Sequence, residues 1–380
     1  MGVLSGYKVV EMAGLGPCPL AGMLLADMGA EVIRVDRSTR ANPMYAKDMS
    51  ARGKKSVVLD IKTEVGREAL LKLVESADVL IEGYRPGVVE KLGIGPEQCW
   101  AVNPKLVYGR MTGWGQTGPL AKNAGHDLNY IALTGALHGI GRPGDRPTVP
   151  LNLIGDFGGG TMFLISGVLG ALLERERSGK GQVVDAAMID GTANLMNLFH
   201  SFHNAGCWDV SDRGVNLLDG GAFFYDTYET ADGKYIALGS IEPQFFTELV
   251  ERAGLDKERF NIETQYDQSQ WSDNQKVFAE VFKTKTREQW CELLENSDAC
   301  FTPILDLDEA PKHPHNQARN AYVEVDDKLQ PAPAPRFSRT PSEVKHGQHA
   351  LGEDTRSVLT ALGYSDDKIN DMKSSGIVGW

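Results

Sequence analysis

Near its N-terminus the chain contains the sequence Val9-Val10-Glu11-Met12-Ala13-Gly14-Leu15-Gly16-Pro17, in which an apolar segment passes into a glycine-containing turn. We predict a strand at Tyr7–Met12 and a helix at Leu20–Met28, because the prolines before this segment suit the first turn of a helix. A second apolar strand follows at Glu31–Val35. Strand, turn, helix and strand in this order are typical of a parallel sheet with crossover helices, so an α/β fold is expected.

The alternation continues with predicted strands at Ser56–Asp60, Val79–Ile81 and Lys105–Met111. After Phe223 the pattern changes to a short hairpin around Asp232-Gly233, followed by amphipathic helices. These shifts predict three parts: a large Rossmann-like α/β domain with a parallel sheet (residues 1–200 and 330–380), a linker (201–224) and a smaller α+β domain (225–329).

The composition limits the possible functions. The 380 residues carry a formal net charge of −12, which argues against nucleic-acid binding. The five cysteines are scattered and unpaired in sequence, as in a cytoplasmic protein. The apolar segment Thr161–Leu173 is shorter than the roughly 20 residues that span a bilayer, so a buried helix rather than a membrane segment is expected.

The turn after the first strand resembles a dinucleotide-binding fingerprint, with Gly14, Gly16 and the acid Asp36 after the second strand. Pro19 occupies the position at which close helix packing favours glycine or alanine. A tight strand-to-helix turn is therefore the preferred interpretation. A nicotinamide-dependent oxidoreductase built on this turn is one alternative function.

Basic residues cluster around the predicted strand ends, although the protein is acidic. Loops that follow parallel strands meet at the carboxyl edge of the sheet, where ligands bind, and a group of cations there suits a ligand with several phosphates. Arg85, beside a Pro-Gly turn, is the best single candidate. The residues predicted to contact a phosphate-rich ligand such as CoA are Arg37, Arg40, Arg52, Lys54, Lys55, Lys62, Tyr84, Arg85 and Lys91.

Two further segments suit proton transfer. Gly125-His126-Asp127-Leu128-Asn129-Tyr130 places a histidine at a predicted helix start, and Gly155-Asp156-Phe157-Gly158-Gly159-Gly160 places a carboxylate in an expected glycine-rich loop. A histidine and a carboxylate on opposite faces of one carbon are suited to removing a proton from one face and returning a proton to the other. His313 and His315 have no cysteine pair or acidic triplet nearby, so no metal is predicted.

The chain resembles CoA-transferase family III, and within it the α-methylacyl-CoA racemase branch. The resemblance covers nearly the whole chain, and the Gly-His-Asp stretch is specific to the racemase branch. The matching stretches are Arg52-Gly53-Lys54-Lys55-Ser56, Glu82-Gly83-Tyr84-Arg85-Pro86-Gly87, Gly125–Tyr130, Gly155–Gly160, Asp219-Gly220-Gly221, Ile241-Glu242-Pro243-Gln244-Phe245 and His313-Pro314-His315.

This resemblance implies that the (R) and (S) forms of a 2-methylacyl-CoA interconvert by 1,1-proton transfer through an enolate. It assigns the S face to His126 and the R face to Asp156, with no cofactor beyond the CoA of the substrate. It also implies that the Asp127 amide stabilises the enolate oxygen and that Glu242 pairs with the histidine. Glu242 also fits the start of a helix near Pro243.

A tolerant apolar surface is expected for the acyl chain, since methionine adapts to varied shapes. The resemblance further implies an interlocked homodimer in which the small domain of one chain closes the site of the other. The predicted pocket residues are Met188, Leu195, Met196, Leu217, Phe224 and Tyr225. A family III CoA transferase, with Asp156 as the nucleophile, is the second alternative function.

Overall fold

The computed structural model of the chain describes residues 1–37 and 49–380. These residues form two compact units. The first consists of residues 1–134, 151–195 and 318–380, and the second of residues 135–150 and 196–317. Residues 135–150 and 201–224, which the sequence assigned to the large domain and to a linker, thus belong to the second unit.

A mostly parallel sheet forms the centre of the first unit. Its strands are β1 (Lys8–Met12), β2 (Glu31–Asp36), β3 (Lys54–Leu59), β4 (Val79–Glu82), β5 (Val107–Thr112), β6 (Val183–Ala187) and, numbered in chain order, the C-terminal β12 (Val378–Gly379). The same unit contains a separate antiparallel pair, β10 (Tyr322–Val325) and β11 (Lys328–Pro331). Among the described residues the strand order is β12-β3-β2-β1-β4-β5-β6, and β12 is antiparallel to β3. The order reverses at β1, which has β2 on one side and β4 on the other. Such a reversal leaves a crevice at the carboxyl ends of the strands.

Helices cover both faces of this sheet. They are α1 (Pro17–Asp27), α2 (Glu64–Val74), α3 (Val88–Lys91), α4 (Pro96–Val102), α5 (Asp127–Leu133), α6 (Phe163–Ser178), α7 (Met188–Leu195), α13 (Thr355–Ala361) and α14 (Asp366–Ser374). Alternate strand residues belong to two separate cores: Val10 and Leu80 pack with α2, α13 and α14, whereas Val9 and Val79 pack with α1 and α6. The predicted α/β class is confirmed, and β6 and β12 are strands that the sequence analysis missed.

The segment before α6 is a π-helix, Leu153–Met162, that runs directly into α6. Together they form a 26-residue helix, Leu153–Ser178, that is long and apolar enough to cross a membrane by length and composition alone. Its residues Leu164, Val168 and Leu172 are buried in the core against the sheet. One face of this helix therefore belongs to the core, and the helix is longer than the expected Thr161–Leu173.

The second unit contains a small antiparallel sheet in the order β7-β8-β9, formed by β7 (Thr227–Glu229), β8 (Tyr235–Leu238) and β9 (Phe301–Pro303). The hairpin predicted at Asp232-Gly233 joins β7 to β8. Its helices are α8 (Asn197–Asn204), α9 (Pro243–Ala253), α10 (Gln268–Phe282), α11 (Arg287–Leu294) and the short α12 (Pro314–Ala318), which crosses its boundary. Buried aromatic rings form its core, including Phe223, Phe246, Phe278 and Trp290.

Candidate active site

His126 lies immediately before α5 and acts as its N-cap, with extended backbone. The backbone N–H of His126 donates to Asn129 Oδ1 at 3.0 Å, and the Asn129 N–H donates to the His126 carbonyl at 2.8 Å. These two bonds satisfy backbone groups at the helix start and fix the direction in which the chain enters α5. His126 itself is exposed, so its imidazole is accessible to a ligand.

Tyr130 supports the segment that precedes His126. Its hydroxyl donates to the carbonyl of Gly125, and its ring makes an edge-on contact with Trp114 at a centroid distance of 4.8 Å. A Cβ on Gly125 would lie 2.8 Å from the Tyr130 ring, so only glycine fits there. Burial raises the pKa of Tyr130 to about 12. The neutral phenol is therefore a permanent hydrogen-bond donor at physiological pH.

Asp156 lies in the first turn of the π-helix, which corrects the expectation of a loop. Its Oδ2 accepts a hydrogen bond from Asn152 Nδ2 at 3.1 Å. The glycines allow this helix to pack closely on α7, since a Cβ on Gly159 would lie 2.7 Å from the backbone nitrogen of Thr192. The three glycines therefore serve helix packing, in addition to any close approach of a ligand.

The turn after β1 contacts the same carboxyl group. Gly16 is the N-cap of α1 with φ of 62°, and a Cβ on it would lie 3.2 Å from Asp156 Oδ2. A carboxylate in this position would repel a dinucleotide pyrophosphate, which in Rossmann folds occupies the helix start. This geometry disfavours the oxidoreductase alternative and makes the glycine turn a wall of the candidate site.

Asp127 joins the two candidate catalytic segments. Its Oδ2 accepts the backbone N–H of Asp156 at 2.7 Å, so the residue after His126 holds the backbone that carries the second candidate base. The Asp127 side chain is buried, and its Oδ1 has no hydrogen-bond partner among the described residues. Burial raises the pKa of Asp156, the charge of Asp127 raises it further, and Asn152 and His126 lower it.

The carboxyl edge of the sheet also brings predicted CoA-binding residues together. The Arg37 guanidinium lies over the ring of Tyr84, 5.6 Å from its centroid. Glu82 Oε2 accepts the backbone N–H of Tyr84 at 2.6 Å, and Glu82 Oε1 accepts a bond from Arg110 at 3.2 Å. Burial raises the pKa of Glu82 to about 7. The contacts of Glu82 hold the loop that carries Tyr84 and the exposed Arg85.

The other predicted cations divide into exposed and buried groups. Lys62 and Lys91 are exposed and remain candidates, whereas Arg40 lies outside the described residues. Arg52 is 3% exposed and pairs with Asp27 at 2.7 Å, and Lys54 is 2% exposed and pairs with Glu11 at 2.5 Å. These buried pairs correct the expectation for Arg52 and Lys54, because their charges are already neutralised inside the protein.

Lys55 is half-exposed and pairs with Glu31 at 2.6 Å. Lys54 and Lys55 are the first two residues of β3, and they therefore lie at the opposite end of the strand from the carboxyl edge. Closeness to a strand along the chain therefore does not place a residue at the ligand edge, because only the carboxyl end of the strand lies there.

The predicted acyl pocket is corrected at several positions. Phe224 is fully buried among the aromatic rings of the second unit, and Leu217 and Tyr225 pack against that core. Met188 is buried in the core of the first unit. Met196 caps α8 after α7 has ended at Leu195, so the predicted pocket residues Met188 and Leu195 lie on a different helix from the one that Met196 begins.

Five exposed apolar side chains lie on the helices that carry or pack against the candidate bases, and only Leu195 among them was predicted from the sequence. Each belongs to α5, the π-helix or α7, and each is at least 39% exposed. They are Leu128, Leu133, Leu153, Met162 and the predicted Leu195. In sequence they resemble ordinary core positions of amphipathic helices, and only the observed packing shows that they face outward.

Glu242 lies in the second unit, where it is exposed and precedes α9 as its N-cap. This confirms the structural interpretation of Glu242 as the residue that begins the helix at Pro243. Its pairing with the histidine stays a prediction.

Comparison with known proteins identifies the family of the chain. A model of CoA-transferase family III matches residues 4–355. The chain belongs to CoA-transferase family III. It is 46% identical to an α-methylacyl-CoA racemase of Mus musculus and 42% identical to that of Homo sapiens, each alignment covering 99% of this chain and 97% of the relative. The crystal structure of a CaiB/BaiF family protein from Brucella suis is 26% identical, with a TM-score of 0.81, and the match covers 95% of this chain and 99% of that one.

Proposed function

We propose that the protein is an isomerase that interconverts (R)- and (S)-2-methylacyl-CoA thioesters, with His126 and Asp156 as the two acid–base residues. The contact between the Asp127 carboxylate and the Asp156 backbone carries this proposal, because it brings the histidine segment and the carboxylate segment together. The racemases to which the chain is 42–46% identical support the same reaction.

The reaction proceeds by removal and return of one proton at C2. One base takes the proton, the C–H electron pair forms a C1–C2 double bond, and the carbonyl electrons move to the thioester oxygen. The protonated partner then donates to the opposite face of C2, and the carbonyl is restored. The Asp127 N–H is the proposed donor to the enolate oxygen, since as the first residue of α5 it has no acceptor within the helix.

The CoA group, by which the protein would recognise the thioester, is part of the substrate itself. The proposed reaction therefore requires no separate cofactor. Arg37, Tyr84 and Arg85 at the carboxyl edge are the proposed contacts for the CoA phosphates and adenine, and the exposed Lys62 and Lys91 are further proposed contacts. The exposed apolar side chains of α5, the π-helix and α7 are the proposed contacts for the acyl chain. Burial of the acyl chain on this surface favours binding by about 25 cal/mol for each Å² of apolar area removed from water.

The test is isotope incorporation without an acceptor acid. We expect (R)- or (S)-2-methylacyl-CoA, incubated with the protein in deuterium oxide, to gain deuterium at C2 and to form the other epimer. Mass spectrometry and chiral analysis of the product check both results. Absence of label and of epimer would contradict the proposal.

A CoA transferase that uses Asp156 as its nucleophile is the second candidate. Family membership and the half-buried Asp156 carboxylate favour it. It predicts exchange of CoA with a free carboxylic acid and trapping of an acyl-aspartate by hydroxylamine. His126 argues against it, because anhydride formation at Asp156 does not require a second base.

We also propose that the protein functions as a cytoplasmic homodimer. The interlocked homodimer that the family resemblance implies supports self-association, and Leu198 and Val210 of the second unit are about half accessible in the single chain. Sedimentation equilibrium should give twice the chain mass of 41.4 kDa. A monomer at micromolar concentration would contradict the dimer.

A further inference from the structure

The two oxygens of the Asp156 carboxyl group have different surroundings. Oδ2 accepts from Asn152 Nδ2 at 3.1 Å and faces Gly16, whose Cβ position lies 3.2 Å away. An amide NH₂ group can only donate a hydrogen bond. Oδ2 therefore accepts the hydrogen bond from Asn152, and the turn after β1 lies close to it on another side.

The backbone of Asp156 is anchored independently of its side chain. Its N–H donates to the buried Asp127 carboxylate, and its position in the π-helix fixes the direction of the Cα–Cβ bond. With the backbone held by Asp127 and one carboxyl oxygen held by Asn152, rotation of the carboxyl group would break a hydrogen bond. Among the residues that the structure describes, the hydrogen bond to this carboxyl group is made at Oδ2, and Oδ1 remains available to a ligand.

We propose that Asn152 is a positioning residue that holds Asp156 through Oδ2, so that Oδ1 is the oxygen that takes and returns the substrate proton. This inference rests on the proposed racemase function and adds an atomic assignment to it. The proton moves from C2 to Oδ1 when Asp156 acts as the base, and from Oδ1 to C2 when it acts as the acid. Asn152 keeps its own protons in both directions.

Two variants separate the hydrogen bond from the shape of the side chain. Asn152→Ala removes the donor, and Asn152→Asp keeps the shape but replaces the donor with an acceptor. Because the Asn152 hydrogen bond lowers the pKa of Asp156, both changes should raise that pKa. Asn370→Ala is the matched control, since Asn370 is also exposed and its side-chain oxygen accepts a hydrogen bond from Arg356 on α13.

The first measurement does not depend on turnover. The carboxyl group of Asp156 is titrated by infrared difference spectroscopy with ¹³C-labelled aspartate, and Asp156→Asn identifies its signal. We expect the pKa of Asp156 to be higher in both Asn152 variants than in the wild-type protein. In Asn370→Ala the pKa of Asp156 should stay the same as in the wild-type protein. An unchanged pKa in Asn152→Ala would overturn the positioning role.

The second measurement is the pH dependence of kcat/KM for the (R) substrate, whose proton Asp156 removes in the ionised form. We expect the acid limb to move to higher pH and kcat/KM at a fixed pH on that limb to fall about three- to tenfold, as for loss of one hydrogen bond. Failure of the wild-type protein to label C2 overturns the proposed function itself. Labelling by the wild-type protein, with an unshifted profile in Asn152→Ala, overturns only the positioning role.

Discussion

The segment of His126 and the segment of Asp156 present their side chains in different ways. His126 precedes a regular α-helix, and its backbone is held by the local partner Asn129, three residues away. Asp156 lies inside a π-helix, and its partners include Asp127 and Gly16, which are distant in sequence. The first arrangement depends on local capping, whereas the second depends on tertiary packing. Changes in the two segments should therefore have different consequences.

The largest expected effect separates the two bases. We expect His126→Asn and Asp156→Asn each to lower racemisation by about 10²–10⁴-fold, the usual contribution of a general acid–base residue. His126→Asn should still exchange the C2 proton of the (R) substrate, and Asp156→Asn that of the (S) substrate, because one base remains. Deuterium incorporation from each enantiomer measures this, and a thermal shift with CoA checks folding. Full racemisation by either variant would contradict the two-base assignment.

The difference between local contacts and long-range packing also explains which features could be predicted from the sequence. The α/β alternation, the glycine turn after β1 and the hairpin at Asp232-Gly233 follow from local patterns. The π-helix could not be predicted, because Gly155 and Gly158–Gly160 read as loop residues and the packing on α7 that stabilises the helix is not local.

The same limit applies to the candidate site. His126 and Asp156 were identified by residue type and resemblance, whereas Asn152 carries no distinctive sequence signal. The burial of Arg52 and Lys54 depends on Asp27 and Glu11, which are 25 and 43 residues distant along the chain. The sequence position of a basic residue does not show whether an acidic residue far along the chain pairs with it in the folded protein.

The next largest effect tests the packing of the π-helix. Gly159→Ala should lower the free energy of unfolding by about 1–3 kcal/mol, because the new Cβ meets the backbone of α7. Gly170→Ala is the control, since Gly170 is exposed on α6 with nothing within 4 Å of its Cβ position. It should raise stability by about 0.5–1 kcal/mol. Urea denaturation measures both, and equal stabilities would show that the π-helix does not need this close contact.

A smaller effect is expected at the cap of the histidine segment. Asn129→Ala removes the acceptor of the His126 N–H and should cost about 1 kcal/mol of stability, together with a lower kcat/KM. Ser365→Ala removes a comparable cap from α14, away from the site, and should cost similar stability without changing kcat/KM. A loss of activity that is equal in the two variants would mean that global stability, and not the position of His126, is responsible.

The smallest effect concerns the residue that joins the two segments. Asp127→Asn keeps an oxygen acceptor for the Asp156 N–H but removes a negative charge, and that charge raises the pKa of Asp156 in addition to burial. The pKa of Asp156 should therefore fall, and the acid limb of kcat/KM for the (R) substrate should move to lower pH. This is the opposite of the direction expected for Asn152→Ala, so the shifts should partly cancel in the double variant. If the acid limb of Asp127→Asn moved to higher pH instead, the lost charge would not be the dominant effect. Asp127 would then act on Asp156 mainly through its hydrogen bond to the backbone, which the weaker amide acceptor loosens.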